Sequence, residues 1–131
     1  MIHKVNTNYL QGMAFEVKVD EFKMIMAADE EGPSPKKLML ASLAVCTGLD
    51  VVSVLNKMRV EFSDFSVDSE ANLTDEHPKI YDSVLITYSI KVSEEYKSKV
   101  DHAIELSIEK YCGVMEMFRG FAKVITKTVF L

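Results

Sequence analysis

Apolar and polar residues alternate from Met13 onward, with Met13, Phe15, Val17 and Val19 on one face and Ala14, Glu16, Lys18 and Asp20 on the other. The alternation lapses at Asp20-Glu21 and resumes with Phe22, Met24 and Met26, a pattern that predicts a β-hairpin. Ile2 to Leu10 predicts one further strand before it. Ala28 to Pro35 reads as a loop that ends in a helix start. Ser34 suits the N-cap, and Pro35 suits the first helical position, where its missing N–H costs nothing. The helix should run to Lys57 or Met58. Its stretch from Leu38 to Leu55 is long and apolar enough to approach a membrane span. Asp50 inside it, with Ser42, Thr47, Gly48 and Ser53, argues instead for a core helix that is apolar on nearly all sides because protein surrounds it.

The pattern changes at Val60. Phe62, Phe65 and Val67 among Ser, Asp and Glu predict a strand, and the odd spacing of the two phenylalanines predicts a bulge. Thr74 to Pro78 is a turn. Val84, Ile86, Tyr88, Ile90 and Val92 then alternate with Leu85, Thr87, Ser89 and Lys91, the clearest strand in the chain. Ser93-Glu94-Glu95 opens a second helix, its acids placed where the helix dipole favours them. Tyr96, Val100, Ala103, Ile104, Ser107, Ile108 and Tyr111 form its expected buried stripe, and Cys112-Gly113 breaks it. Val114 to Phe118 predicts a short helical turn, and Phe121 to Leu131 a last strand. Strands, long helix, strand pair, helix, short helix and strand make an α+β fold, read as a single domain over residues 1–131.

A chain of 131 residues with 48% apolar positions has the composition of an ordinary globular domain. The net charge of −5 argues against nucleic acid as the main partner, since phosphate binding needs a basic footprint. MIHKVNTNYLQG has no apolar core of a secretory signal, so a soluble cytoplasmic protein without a membrane partner is expected. Neither cofactor nor metal is expected, because the two cysteines stand 65 residues apart and the three histidines are scattered.

Those cysteines, Cys46 in LAVCTGLD and Cys112 in EKYCGV, have two readings. Each alone suits a small buried hydrophobe. As a pair they suit thiol redox chemistry, in which one sulfur forms a sulfenic acid and the other condenses with it. Cys112 at a helix start would meet backbone N–H groups that favour a thiolate. Cys46 lies too deep in its helix for that help, and Asp50, one turn later on the same face, would oppose its ionisation.

Gly32-Pro33-Ser34-Pro35 is followed eleven residues later by Cys46 in LAVCTGLDVVSVLNKMR, then by Glu76-His77-Pro78 and LSIEKYC ending at Cys112. This combination resembles the OsmC/Ohr family of osmotically inducible and organic hydroperoxide resistance proteins over residues 13 to 131, and its broad OsmC-like branch most. The resemblance implies an intertwined homodimer in which two curved sheets wrap two central helices, with active sites at the dimer interface. It makes Cys46 the peroxidatic and Cys112 the resolving cysteine. The substrate it implies is a small-molecule hydroperoxide, and the reductant a dithiol, often lipoyl-linked. The chain departs from the well-characterised reductases in one respect. Those have a Glu after the helix-opening Pro and an Arg from the early strands, whereas here Lys36 and Lys37 follow Pro35 and no Arg precedes Arg59. The alternative is therefore a homodimer of the same fold that binds a small apolar ligand, or handles another sulfur species, without efficient peroxide turnover. Met24, Met26, Met58, Met115 and Met117 are candidates to line its pocket. Glu116 and Arg119 read as a surface pair, His77 as a turn residue and His102 as part of a solvated face.

Overall fold

The computed structural model describes all residues from Met1 to Leu131. They form two compact units, Met1–Met39 and Leu40–Leu131.

The first unit is an antiparallel sheet of β1 (Asn6–Gln11), β2 (Ala14–Val19) and β3 (Phe22–Ala27), in that order. The hairpin and the preceding strand are those the alternation predicts. Asp20-Glu21 form the tight β2–β3 turn, with Val19 paired to Phe22, and Asp20 takes a left-handed φ of 54° that a short polar side chain tolerates. Ala14, Val17 and Ala27 are buried, whereas Met13, Phe15, Val19 and Phe22 are exposed. The loop after β3 is tied back to this sheet by Ala28 N–H to the Met13 carbonyl (3.1 Å) and Ala27 N–H to the Pro33 carbonyl (3.1 Å).

Helix α1 (Pro35–Lys57) starts at the expected proline and runs 23 residues. Leu43, Ala44, Thr47, Gly48, Val51 and Leu55 are its buried side. Val45 and Leu49 are 59% and 65% exposed in the single chain, because β4, β5 and the later helices cover only one face. Gly48 is needed for a close approach, since a Cβ there would meet the Val67 side chain at 3.3 Å. The helix ends in paired reverse bonds, Val60 N–H to the Leu55 carbonyl and Arg59 N–H to the Asn56 carbonyl. These place Arg59 at φ 57°, the position that usually selects glycine.

The second sheet has the order β4 (Phe62–Leu73), β5 (Tyr81–Val92), β6 (Lys123–Phe130). β4 and β5 are antiparallel, and β5 and β6 are parallel. The bulge falls where the Phe62/Phe65 spacing puts it, between Ser63 and Ser66, with Asp64 at φ 51°. Val84, Ile86, Tyr88 and Ile90 of β5 are buried, as their alternation predicts. They pack with Leu43, Val51 and Leu55 of α1, with Val100, Ala103 and Ile104 of α2 (Lys97–Leu106), and with Met115 and Phe118 of α3 (Gly113–Arg119).

Helix α2 does not stop at Leu106 but widens into a π turn over Ser107–Tyr111, closed by Cys112 N–H on the Ser107 carbonyl at 2.9 Å. This extra residue per turn corrects the expected stripe. Tyr111 turns out to solvent at 58% exposure, and Cys112 takes the buried place beneath Ser107.

Candidate functional site

The site is built by α1, β5, the π turn and the start of α3. Thr47 faces the core because it lies on the buried side of α1 between Leu43 and Val51. Its hydroxyl lies 2.7 Å from the Tyr88 hydroxyl of β5 and 2.7 Å from the Ser107 hydroxyl of the π turn. Ser107 donates in turn to Asp50 Oδ2 at 2.9 Å. Thr47, Tyr88 and Ser107 are each fully buried. With Asp50 as a carboxylate, which only accepts, the protons can be placed. Ser107 gives its single proton to Asp50, so it accepts from Thr47, which accepts from Tyr88. The chain Tyr88–Thr47–Ser107–Asp50 is one-directional and leaves no buried polar side chain unpaired. Burial pushes the Tyr88 phenol up to about 12, which keeps it a proton donor at the far end.

Both cysteines lie beside the carboxylate end of this chain. A sulfur from each and an Asp50 oxygen all lie within 4.8 Å of one another, although 65 residues separate the cysteines in sequence. Cys46 and Asp50, four apart on α1, share a face because a helical turn is 3.6 residues. Cys112 reaches them through the π turn. Neither sulfur is in a disulfide, and Cys46 is the more exposed of the two. Cys112 caps α3 and accepts from Met115 N–H at 3.3 Å, the helix-start geometry expected from the sequence. Its expected effect does not follow. Burial dominates and, with a hydrogen bond to Cys46 and the nearby Asp50 charge, pushes the Cys112 thiol up to about 12, so the Met115 N–H is outweighed. Cys112 is a thiol at neutral pH.

Two sulfurs and a carboxylate are a donor set that a soft ion such as zinc accepts. Capture would require the raised Cys112 thiol to give up its proton.

Sequence reasoning singled out Cys46, Cys112 and the helical phase of Asp50, and the structure brings these three together. It missed Thr47, Tyr88 and Ser107. Thr47 carried a usable signal as a polar residue on an apolar helix face, and Ser107 as a polar member of a buried stripe. Lys36 and Lys37 are exposed in the first turn of α1. Of the methionines, Met115 is core and Met117 is 65% exposed in the second unit, and Met26 and Met13 line a hollow of the first unit. Glu116 and Arg119 form the expected surface pair at 2.6 Å.

The chain is an α+β fold in which a cysteine of the long helix and one at the end of the π turn come together. The OsmC-like protein family model matches residues 28–127, and the chain belongs to this family. Among individual proteins, it is 30% identical to Protein YhfA of Escherichia coli over 67% of this chain and 66% of that protein, just under two thirds of the relative's length. A hypothetical protein from Aquifex aeolicus has a similar structure, with a TM-score of 0.84 and 27% identity over 100% of this chain and 98% of that one. An organic hydroperoxide resistance protein from Elizabethkingia anophelis shares the fold, with a TM-score of 0.72 and 15% identity over 100% of this chain and 99% of that one.

Proposed function

We propose that this protein reduces organic hydroperoxides with the Cys46–Cys112 pair. The observation that carries the reading is the convergence of the two sulfurs within 4.8 Å. A disulfide needs sulfurs about 2 Å apart, so the two sulfurs must still approach as the bond forms. Membership of the OsmC/Ohr family and the shared fold of a hydroperoxide resistance protein support the same chemistry. Cys46 is the nucleophile because it is the more exposed sulfur and because Cys112 holds its own proton firmly. The Cys46 thiolate attacks one oxygen of ROOH, the O–O bond breaks, and the leaving alkoxide takes a proton to become ROH. Cys46 is left as a sulfenic acid. Cys112 then attacks that sulfur, forming the disulfide and releasing water. A dithiol, lipoyl-linked or of similar reach, restores both thiols and is itself oxidised to a disulfide.

The assembly that goes with this reading is a cytoplasmic homodimer. The exposed Val45 and Leu49 on α1 support it, because a core helix with a bare apolar strip is completed by a second copy. The test is cumene hydroperoxide reduction with a dithiol reductant. Cys46→Ser should abolish turnover, and Cys112→Ser should still consume one equivalent and accumulate a sulfenic acid that dimedone traps. Full activity in Cys46→Ser would overturn the assignment.

A second reading has its own observation. Met13, Phe15, Val17, Met26, Ala27 and Pro35 line an apolar hollow of about 340 Å³ in the first unit, the size of a small-ligand pocket. On this reading the protein binds a small apolar molecule there without peroxide chemistry. Turnover of organic hydroperoxide at substrate levels would exclude it.

A further inference from the structure

Cys112 presents a problem that the pair alone does not solve. To resolve the sulfenic acid it must lose a proton, yet it sits 4% exposed beside another thiol and a carboxylate. Lys36 and Lys37 follow Pro35 where the family resemblance implies a Glu, and no Arg precedes Arg59. The groups around the Cys112 sulfur are Cys46 and Asp50 from α1, Tyr88 from β5, and the Met115 N–H of α3. Tyr88 is a neutral donor, the Met115 N–H is a donor, and Cys46 is the reaction partner. Asp50 is the one Brønsted base among them.

We propose that Asp50, fixed by the Ser107–Thr47–Tyr88 hydroxyl chain, carries the Cys112 proton when Cys46 and Cys112 close to a disulfide. This rests on the hydroperoxide-reductase reading for its physiological oxidant, but the geometry applies to any oxidised form of Cys46. Every hydrogen bond of the chain points toward the carboxylate. Asp50 is thereby anchored on one side by Ser107 at 2.9 Å, while a carboxylate oxygen lies within 4.8 Å of both sulfurs. At such a separation the proton can pass directly or through one intervening oxygen, such as that of the Cys46 sulfenic acid itself. In the closing step the Cys112 S–H proton passes to Asp50 as the S–S bond forms. Asp50 hands it to the departing hydroxide of Cys46–SOH, which leaves as water. Atoms and charge balance, and Asp50 ends as it began. When Cys46 carries glutathione, the same transfer delivers the proton to the leaving glutathione thiolate.

Asp50 is a positioning and proton-carrying residue in this scheme, and the test separates it from a structural role. Asp50→Asn keeps the size of the side chain and can still hydrogen-bond Ser107. In stopped-flow experiments with cumene hydroperoxide, Asp50→Asn should form the dimedone-reactive Cys46 sulfenic acid within a few-fold of the wild-type rate. Its disulfide closure at pH 7 should be slower by about 10²-fold, the usual worth of a general base. Closure should also become steeply pH-dependent, rising about tenfold per pH unit as hydroxide replaces the lost base, where wild type rises much less. Asp50→Glu should restore part of the rate and the shallow profile. Closure in Asp50→Asn at the wild-type rate, or with the wild-type pH slope, overturns the proposal. The same comparison with oxidised glutathione isolates it from the peroxide reading. If hydroperoxide gives no sulfenic acid in wild type but glutathione-driven closure still depends on Asp50, the peroxide reading fails and the proton-carrying role stands. If neither oxidant reveals a dependence on Asp50, the role falls.

Discussion

Replacing Thr47 by Val removes one oxygen from the middle of the buried chain and puts a methyl of similar size in its place. The loss falls on two hydrogen bonds of 2.7 Å, to Tyr88 and to Ser107. Ser107 keeps Asp50 as its acceptor. The Tyr88 hydroxyl keeps nothing, because its residue is fully buried. The bond to Ser107 contributes about 1 kcal/mol, and the buried Tyr88 hydroxyl left without an acceptor costs about 1–3 kcal/mol. A destabilisation of about 2–4 kcal/mol is therefore expected for Thr47→Val, little of it from a cavity. Tyr88→Phe removes the stranded donor instead and should cost only about 1 kcal/mol. The double variant should be more stable than the sum of the two losses predicts, by about 1 kcal/mol or more, since the Phe removes the group that Val strands. Urea unfolding of the four proteins under reducing conditions measures this, provided the slope with denaturant is unchanged. Strict additivity, or a loss below about 0.5 kcal/mol in Thr47→Val, would refute the connected chain.

Other consequences are as specific. Arg59→Gly relieves a left-handed backbone at the end of α1 and should stabilise the fold by about 0.5–1 kcal/mol, read from the urea midpoint. Cys112 and Tyr88 are both raised to about 12, from ordinary values of 9.0 and 10.0. The folded state thus holds these protons more tightly than the unfolded chain, so their contribution is complete below pH about 9 and is lost as the pH rises towards 12. Stability should fall over that alkaline window, and Tyr88→Phe should fall less steeply; a flat profile would count against the buried titrations. Burial holds the Cys112 thiol protonated at pH 8, so iodoacetamide should leave it unmodified until the protein unfolds. Val45→Asp with Leu49→Asp should preserve the far-ultraviolet circular dichroism yet convert a dimer to a monomer by light scattering; an unchanged mass would exclude this strip as the interface.

Much of the fold was legible because its periodicities are clean. The alternation of Val84 to Ile90 gave β5, the Phe62/Phe65 spacing gave the bulge, and Ser34-Pro35 gave the start of α1. The apolar faces were less legible. Met13, Phe15 and Val19, like Val45 and Leu49, show that a residue can be patterned for burial without being buried in its own chain. Of the site, the cysteine contexts were readable and the distance between the sulfurs was not. That distance depends on a single π turn, and a 3.6-residue stripe projected through Ser107 places Tyr111 inward where the structure buries Cys112. The Thr47–Tyr88 and Thr47–Ser107 bonds join residues 41 and 60 positions apart, beyond the reach of any local pattern. The sign of the effect on Cys112 was equally inaccessible. Sequence supplies the helix start, but only the packed structure shows that burial outweighs it.

The central claim is that Cys46 and Cys112 act as one redox pair. The most direct measurement is intact-mass and peptide-mass analysis of the reduced protein titrated with cumene hydroperoxide, with cumyl alcohol counted alongside. The account predicts one alcohol per chain, the loss of two hydrogens in mass, both free thiols gone together, and a single Cys46–Cys112 cross-linked peptide. Oxidation that leaves Cys112 free, or that stops at oxygen adducts on Cys46 with no cross-link, would contradict it.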